Sequence, residues 1–209
     1  MRIRLFLILL GAAAVVAAYT FPIWRPYIAN TVVEDPFPGL PANLQGPFSE
    51  LPSDQQAALL RVAEENREMG IAMAVAALQE PVALEEDPGQ PDAATAIRAT
   101  QGNFVRIDPI RWAEGSATVY AFPDNRKLLR LEDFQAATGP DLYVILSASE
   151  APRTREEVEL GDLDLELGPL QANIGNQNYE IPPEVDLSLY NSVVIYSKQF
   201  SVVFSTATV

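Results

Sequence analysis

The chain has 209 residues, 48% of them hydrophobic and 20% charged, the balance of a folded protein with room for one sizeable domain and a small accessory piece. It contains no cysteine and no histidine, which removes thiolate nucleophiles, Ser-His-Asp triads, iron–sulfur clusters and covalent c-type haem. A net charge of −14 repels phosphate backbones, so no nucleic-acid partner is expected.

Residues 1–30 carry Arg2, Arg4 and Arg25 and no acid. Residues 5–24 (LFLILLGAAAVVAAYTFPIW) are uncharged and, as a helix, just long enough to cross a hydrocarbon core of roughly 30 Å. Arg2 and Arg4 favour a cytoplasmic amino terminus, and Tyr19, Trp24 and Tyr27 suit the far interface. The expectation is a single-pass cell-membrane anchor with the remainder outside the cytoplasm. A cleaved signal peptide competes with it, since Ala12 and Ala14 offer a small-residue pair. Residues 31–52, rich in Pro and Gly, read as an extended spacer.

Ser53 opens a helical region over 53–80, with Gln56 completing a capping box and Leu59, Val62 and Met69 at helical spacing. Gly70 is expected to break that pattern before a second helix over 71–78. Residues 81–99 are acidic, proline-bearing and aperiodic, the pattern of a linker.

From residue 100 the period changes. Short β-branched or alternating runs at 115–122, 128–134, 141–147, 158–167 and in two halves of 192–205 are separated by Pro, Gly, Asn and Asp. Without intervening helices they predict an antiparallel β-sandwich or barrel-like domain over 100–209, mainly β. The 192–205 run is apolar on both phases, which suits a central strand bent or turned near Lys198 and Gln199. A transmembrane strand is not expected, because the polar alternation of an outer-membrane barrel is missing.

Asp162, Asp164 and Glu166 alternate with leucines, so a strand places three carboxylates on one face. They are the weak candidates for a hard cation, although a straight strand holds its ligands too far apart to converge. The stretch 175–179 (GNQNY) reads as a polar turn, with Gln177, Asn178 and Tyr179 as ligand-contact candidates. A second turn, at 139–142, places Asp141 to cap backbone amides. No carboxylate pair stands out for glycoside hydrolysis, and the inventory points away from an enzyme.

The phrases GNF (102–104), GSATVY (115–120), LRLEDF (129–134), TGPDLYVILS (138–147), LGPLQANIGNQNYEIP (167–182) and DLSLYNSVVIYSKQFSVVFSTA (186–207) follow one another in an order that resembles the electron-transfer domain called DM-thirteen. That domain is known from the Skeletor protein and is often found beside DOMON domains. The resemblance covers the last half of the chain, and the leading hydrophobic segment looks like the layout of bacterial members. It implies a β-rich fold and a redox role through a near-invariant cysteine, as a bare thiol or through a prosthetic group. On this resemblance Ser197 falls at the cysteine position and Ser201 where bacterial members often carry histidine. Another family histidine falls near Arg111 or Trp112. The reading is therefore a membrane-anchored, extracytoplasmic binding or envelope-structural module, with no cofactor and a possible extracytoplasmic protein partner. The competing reading is electron transfer through a non-covalent cofactor or a partner redox protein.

Overall fold

The computed structural model describes residues 11, 15–16, 18–21, 35–85, 88–89, 96–158 and 163–209, and the chain divides into two compact units, Met1–Pro38 and Gly39–Val209. In the first unit the described residues between 11 and 21 are helical, and Thr20 Oγ1 donates to the Val16 carbonyl at 2.8 Å. No helix among the described residues is long and apolar enough to cross a membrane; most of the uncharged run 5–24 lies outside them.

The second unit begins with three helices, α1 (Ala42–Glu50), α2 (Ser53–Glu65) and α3 (Arg67–Ala77). Helix α1 corrects the expectation of an extended spacer over 31–52. It forms despite Gly46 and Pro47, and it buries Phe48. The capping box at Ser53 does not form. Pro52 is the N-cap of α2, and the Gln56 amide donates back to the carbonyls of Leu51 (2.7 Å) and Ser49 (3.2 Å), tying α2 to the end of α1. The chain breaks at Asn66, not at Gly70. Asn66 is extended (φ −146°), and its side chain accepts from the Met69 N–H at 3.1 Å, capping α3. Gly70 lies inside α3, where a Cβ would come within 2.5 Å of Ala63 Cα, so its role is close packing of α2 on α3.

Eight strands follow: β1 (Ile97–Arg106), β2 (Ala113–Ala121), β3 (Lys127–Ala136), β4 (Leu142–Ser147), β5 (Leu165–Pro169), β6 (Gln177–Ile181), β7 (Ser192–Ser197) and β8 (Val202–Thr208). All neighbours are antiparallel, in the order β5-β4-β7-β8-β1-β2-β3-β6, and the sheet curls into a nearly closed barrel. Strand β1 turns the corner. Its first part, from Ile97 to Asn103, pairs with β2, and Phe104, Val105 and Arg106 pair with β8. A Cβ at Gly102 would run into the Thr208 carbonyl oxygen, so only glycine lets the two backbones cross there. Phe104 and Phe134 meet edge to face inside, with centroids 5.4 Å apart.

Of the expected strand over 158–167, residues 165–167 fall in β5, Val158 follows a 3₁₀ turn over Arg155–Glu157, and residues 159–162 lie outside the described residues. The expected turn at 175–179 is half strand, because β6 begins at Gln177 and pairs with β3. The span 81–99, expected as a linker, lies in part against the barrel. Ala83 bridges Ile174, Leu84 N–H donates to the Ile174 carbonyl at 2.9 Å, and β1 begins at Ile97. Further along, the Gly89 carbonyl accepts from Arg130 Nη1 at 2.7 Å and Asn178 Nδ2 at 3.3 Å.

Candidate functional site around the 137–141 loop

The loop joining β3 to β4 is gripped from two sides. On one side stands Ser197, the last residue of β7, paired with Leu142 on β4 and Val202 on β8. Ser197 is 1% exposed, and its Oγ donates to the Pro140 carbonyl at 2.6 Å. Lys198 N–H donates to the Asp141 carbonyl at 3.1 Å. Asp141 adopts a left-handed φ of 52° and fixes the loop through that carbonyl, where its carboxylate had been expected to cap amides. Lys198 Nζ sits 2.8 Å from Glu166 Oε2 and 4.3 Å from the centroid of the Tyr143 ring. Hydrogen bonding to the Glu166 carboxylate raises the Lys198 ammonium above its ordinary pKa. Ser201 lies in the β7–β8 turn with φ 56°, partly buried.

On the other side, Ala137 N–H donates to the Trp112 carbonyl at 3.0 Å. Arg111 does not face the loop as a free ligand: its guanidinium pairs with Asp108 at 2.6 Å, and Asp108 Oδ1 also takes the N–H groups of Ile110 and Arg111. The Arg106 guanidinium stacks over the Trp112 indole, 4.8 Å from its centroid. Trp112 lines a cleft of about 270 Å³ between the helices and the barrel, together with Gln55, Gln79, Gln135 and Thr138. Two of the positions that the resemblance marks, Trp112 and Ser197, thus hold opposite ends of one loop.

The other candidates are separated. Strand alternation places Gln177 and Tyr179 on the face of Leu131 and Leu129, and Asn178 on the opposite face beside Arg130. Gln177 is fully buried. Its Oε1 accepts from the Gln171 and Ala172 N–H groups and from Tyr179 Oη (2.8 Å), and its Nε2 donates to the Ala172 carbonyl at 2.7 Å. Tyr179 Oη also accepts from Gln171 N–H at 3.1 Å. Burial pushes the Tyr179 phenol up to about 12, against a smaller lowering by the Gln171 N–H. Asn178 accepts from Arg130 Nη1 at 3.1 Å. Gln177 and Tyr179 therefore hold the β5–β6 connection, and Asn178 holds the carbonyl of Gly89.

The two described carboxylates, Asp164 and Glu166, are engaged separately. Asp164 accepts from Ala148 N–H at 2.8 Å, Glu166 pairs with Lys198, and Asp162 lies outside the described residues. Among the described residues no group of three or more Asp, Glu, His or Cys could hold a metal ion.

A thiol-linked or axially ligated redox group does not fit this donor set. Around the loop stand a hydroxyl already hydrogen-bonded inside a closed site, a second serine in a turn, a guanidinium paired with a carboxylate, and an indole. None is a thiolate, imidazole or thioether, and Met69 and Met73 both lie on α3. The cleft itself escaped sequence reasoning. Its polar residues are neutral and come from three separate stretches, so no motif announces them; Trp112, which the resemblance marks, and the GPD turn next to Thr138 are the signals near it.

The family model described as Electron transfer DM13 matches residues 104–209. No curated protein and no solved structure matches the chain.

Proposed function

Since this chain belongs to the electron transfer DM13 family, we propose that it is a membrane-anchored, extracytoplasmic binding or envelope-structural module on a scaffold whose redox residues have been replaced. The observation that carries the reading is Ser197. Placed by resemblance at the family's cysteine, it is a buried hydroxyl donating to Pro140, in a chain without cysteine or histidine. Such a hydroxyl is neither oxidised under mild conditions nor a useful ligand for haem or copper. Anchoring is supported by the uncharged run 5–24 behind Arg2 and Arg4, and by the exposure of Val15, Val16, Tyr19 and Phe21 on helical residues. The partner would be a protein or ligand outside the cytoplasm, and the acidic surface disfavours nucleic acid.

The test is an absorption spectrum and metal analysis of the full chain purified from membranes. The expected result is no visible band and no stoichiometric metal. A stoichiometric haem, flavin or copper signal would overturn this reading in favour of electron transfer through a non-covalent cofactor. Recovery of the chain in the soluble fraction after cell lysis would remove the anchor.

A further inference from the structure

We propose that the cleft between the helices and the barrel is a binding site for a neutral sugar ring; this rests on reading the chain as a binding module. The chain carries 28 acids and 14 bases, yet none of the twelve residues lining the cleft is charged. An ionic ligand would find no counter-charge there. The volume, about 270 Å³, lies just under the range of roughly 300–1,000 Å³ for drug-sized ligands, so one or two rings fit and a long chain does not.

The lining divides into two kinds of surface. Trp112, Ile110 and prolines 81 and 109 supply an apolar wall. The Trp112 indole is fixed by Arg106 over one face, and Arg106 is itself tethered to Glu114 at 3.2 Å. The side chains of Gln55, Gln79, Gln135 and Thr138 supply the polar rim, and none of them makes a hydrogen bond within the described structure. Each amide offers two donors and an acceptor, and the threonine hydroxyl offers both. A ligand rimmed with hydroxyls, donors and acceptors at once, uses this set fully, while its C–H face packs on the indole. A purely apolar ligand would strip water from the four polar side chains without replacing it.

The experiment titrates the full chain, in a detergent without a sugar headgroup, with glucose, N-acetylglucosamine and their β-linked disaccharides. It follows saturation-transfer NMR of the sugar and, in the full chain carrying Trp24→Phe, the fluorescence of Trp112. Saturable binding with a Kd on the order of 1 mM or tighter is expected for at least one of them. W112A should abolish it; in case that variant fails to fold, the double variant Q79A/Q135A should weaken it about tenfold or more. Absence of saturable binding, equal binding by Q79A/Q135A, or saturation by a short-chain quinone with none by sugars each overturns the proposal. A redox cofactor found in the purified chain would sink the functional reading whatever the sugars do. A cofactor-free chain that ignores sugars sinks the ligand assignment alone.

Discussion

Ser197 gives its one proton to a carbonyl from a position closed to water, and a cysteine there would inherit the enclosure. A buried thiol meets a reagent only when the strand opens locally, and each 1.4 kcal/mol of opening free energy slows modification tenfold. Ser197→Cys should therefore fold, yet react with a disulfide reagent at least about 100-fold more slowly in native buffer than in denaturant. Comparable rates in the two conditions would show an accessible position, and a site there would have to be reconsidered. Ser197 is singled out in the sequence through the resemblance, which implies that it stands at the family's cysteine position. The sequence does not show Gln177, whose polarity reads as a turn or a ligand contact. Only the folded chain reveals that its amide is buried and closed by its own loop. The residues of the cleft are hidden for the opposite reason: glutamine and threonine at dispersed positions carry no chemistry that sequence reading can single out.

At the scale of elements, apolar burial decides what is legible. Strand β7 is buried along its whole length, and β8 along most of its own, so their sequence announces them. Strand β1 is exposed for most of its length, with IRATQGN alternating in nothing, and reads as the end of a linker. Its pairing comes from β2 and β8, which local sequence does not contain. Helix α1 is masked by Gly46 and Pro47, and helix starts mislead in the same way. Ser53 and Gln56 fit a capping pattern, but Pro52 takes the N-cap and Gln56 reaches back to α1. Asn66, at the sharp joint between α2 and α3, caps in fact. Asn66→Ala should cost about 1 kcal/mol in chemical denaturation, whereas Ser53→Ala should change stability by less than about 0.5 kcal/mol. The reverse order would place the cap at Ser53 and contradict the α2–α3 joint.

For the whole molecule the decisive act is closure of the sheet. Strands β5 and β6 are its two ends, and the segment between them is held by the Gln177–Tyr179 pair rather than by a further ladder of backbone bonds. Closure by a phenol has a pH signature. Tyr179 titrates near 10.0 when unfolded and at about 12 in the fold, because burial penalises the phenolate. The folded state binds the proton more tightly, so this contribution is fully present below pH 10 and is lost as pH rises towards 12. Two pK units correspond to on the order of 2–3 kcal/mol. Strong base acts on the rest of the chain as well, so the informative quantity is a difference. Tyr179→Phe lacks the hydroxyl and starts less stable at neutral pH, since the Gln177 and Gln171 groups lose a partner. The stability gap between the native chain and Tyr179→Phe should then shrink by roughly 2–3 kcal/mol between pH 10 and 12, followed by urea denaturation at each pH. A gap that stays constant over that range would mean that the phenol is hydrated in the fold, and that the β5–β6 connection closes the barrel by other contacts.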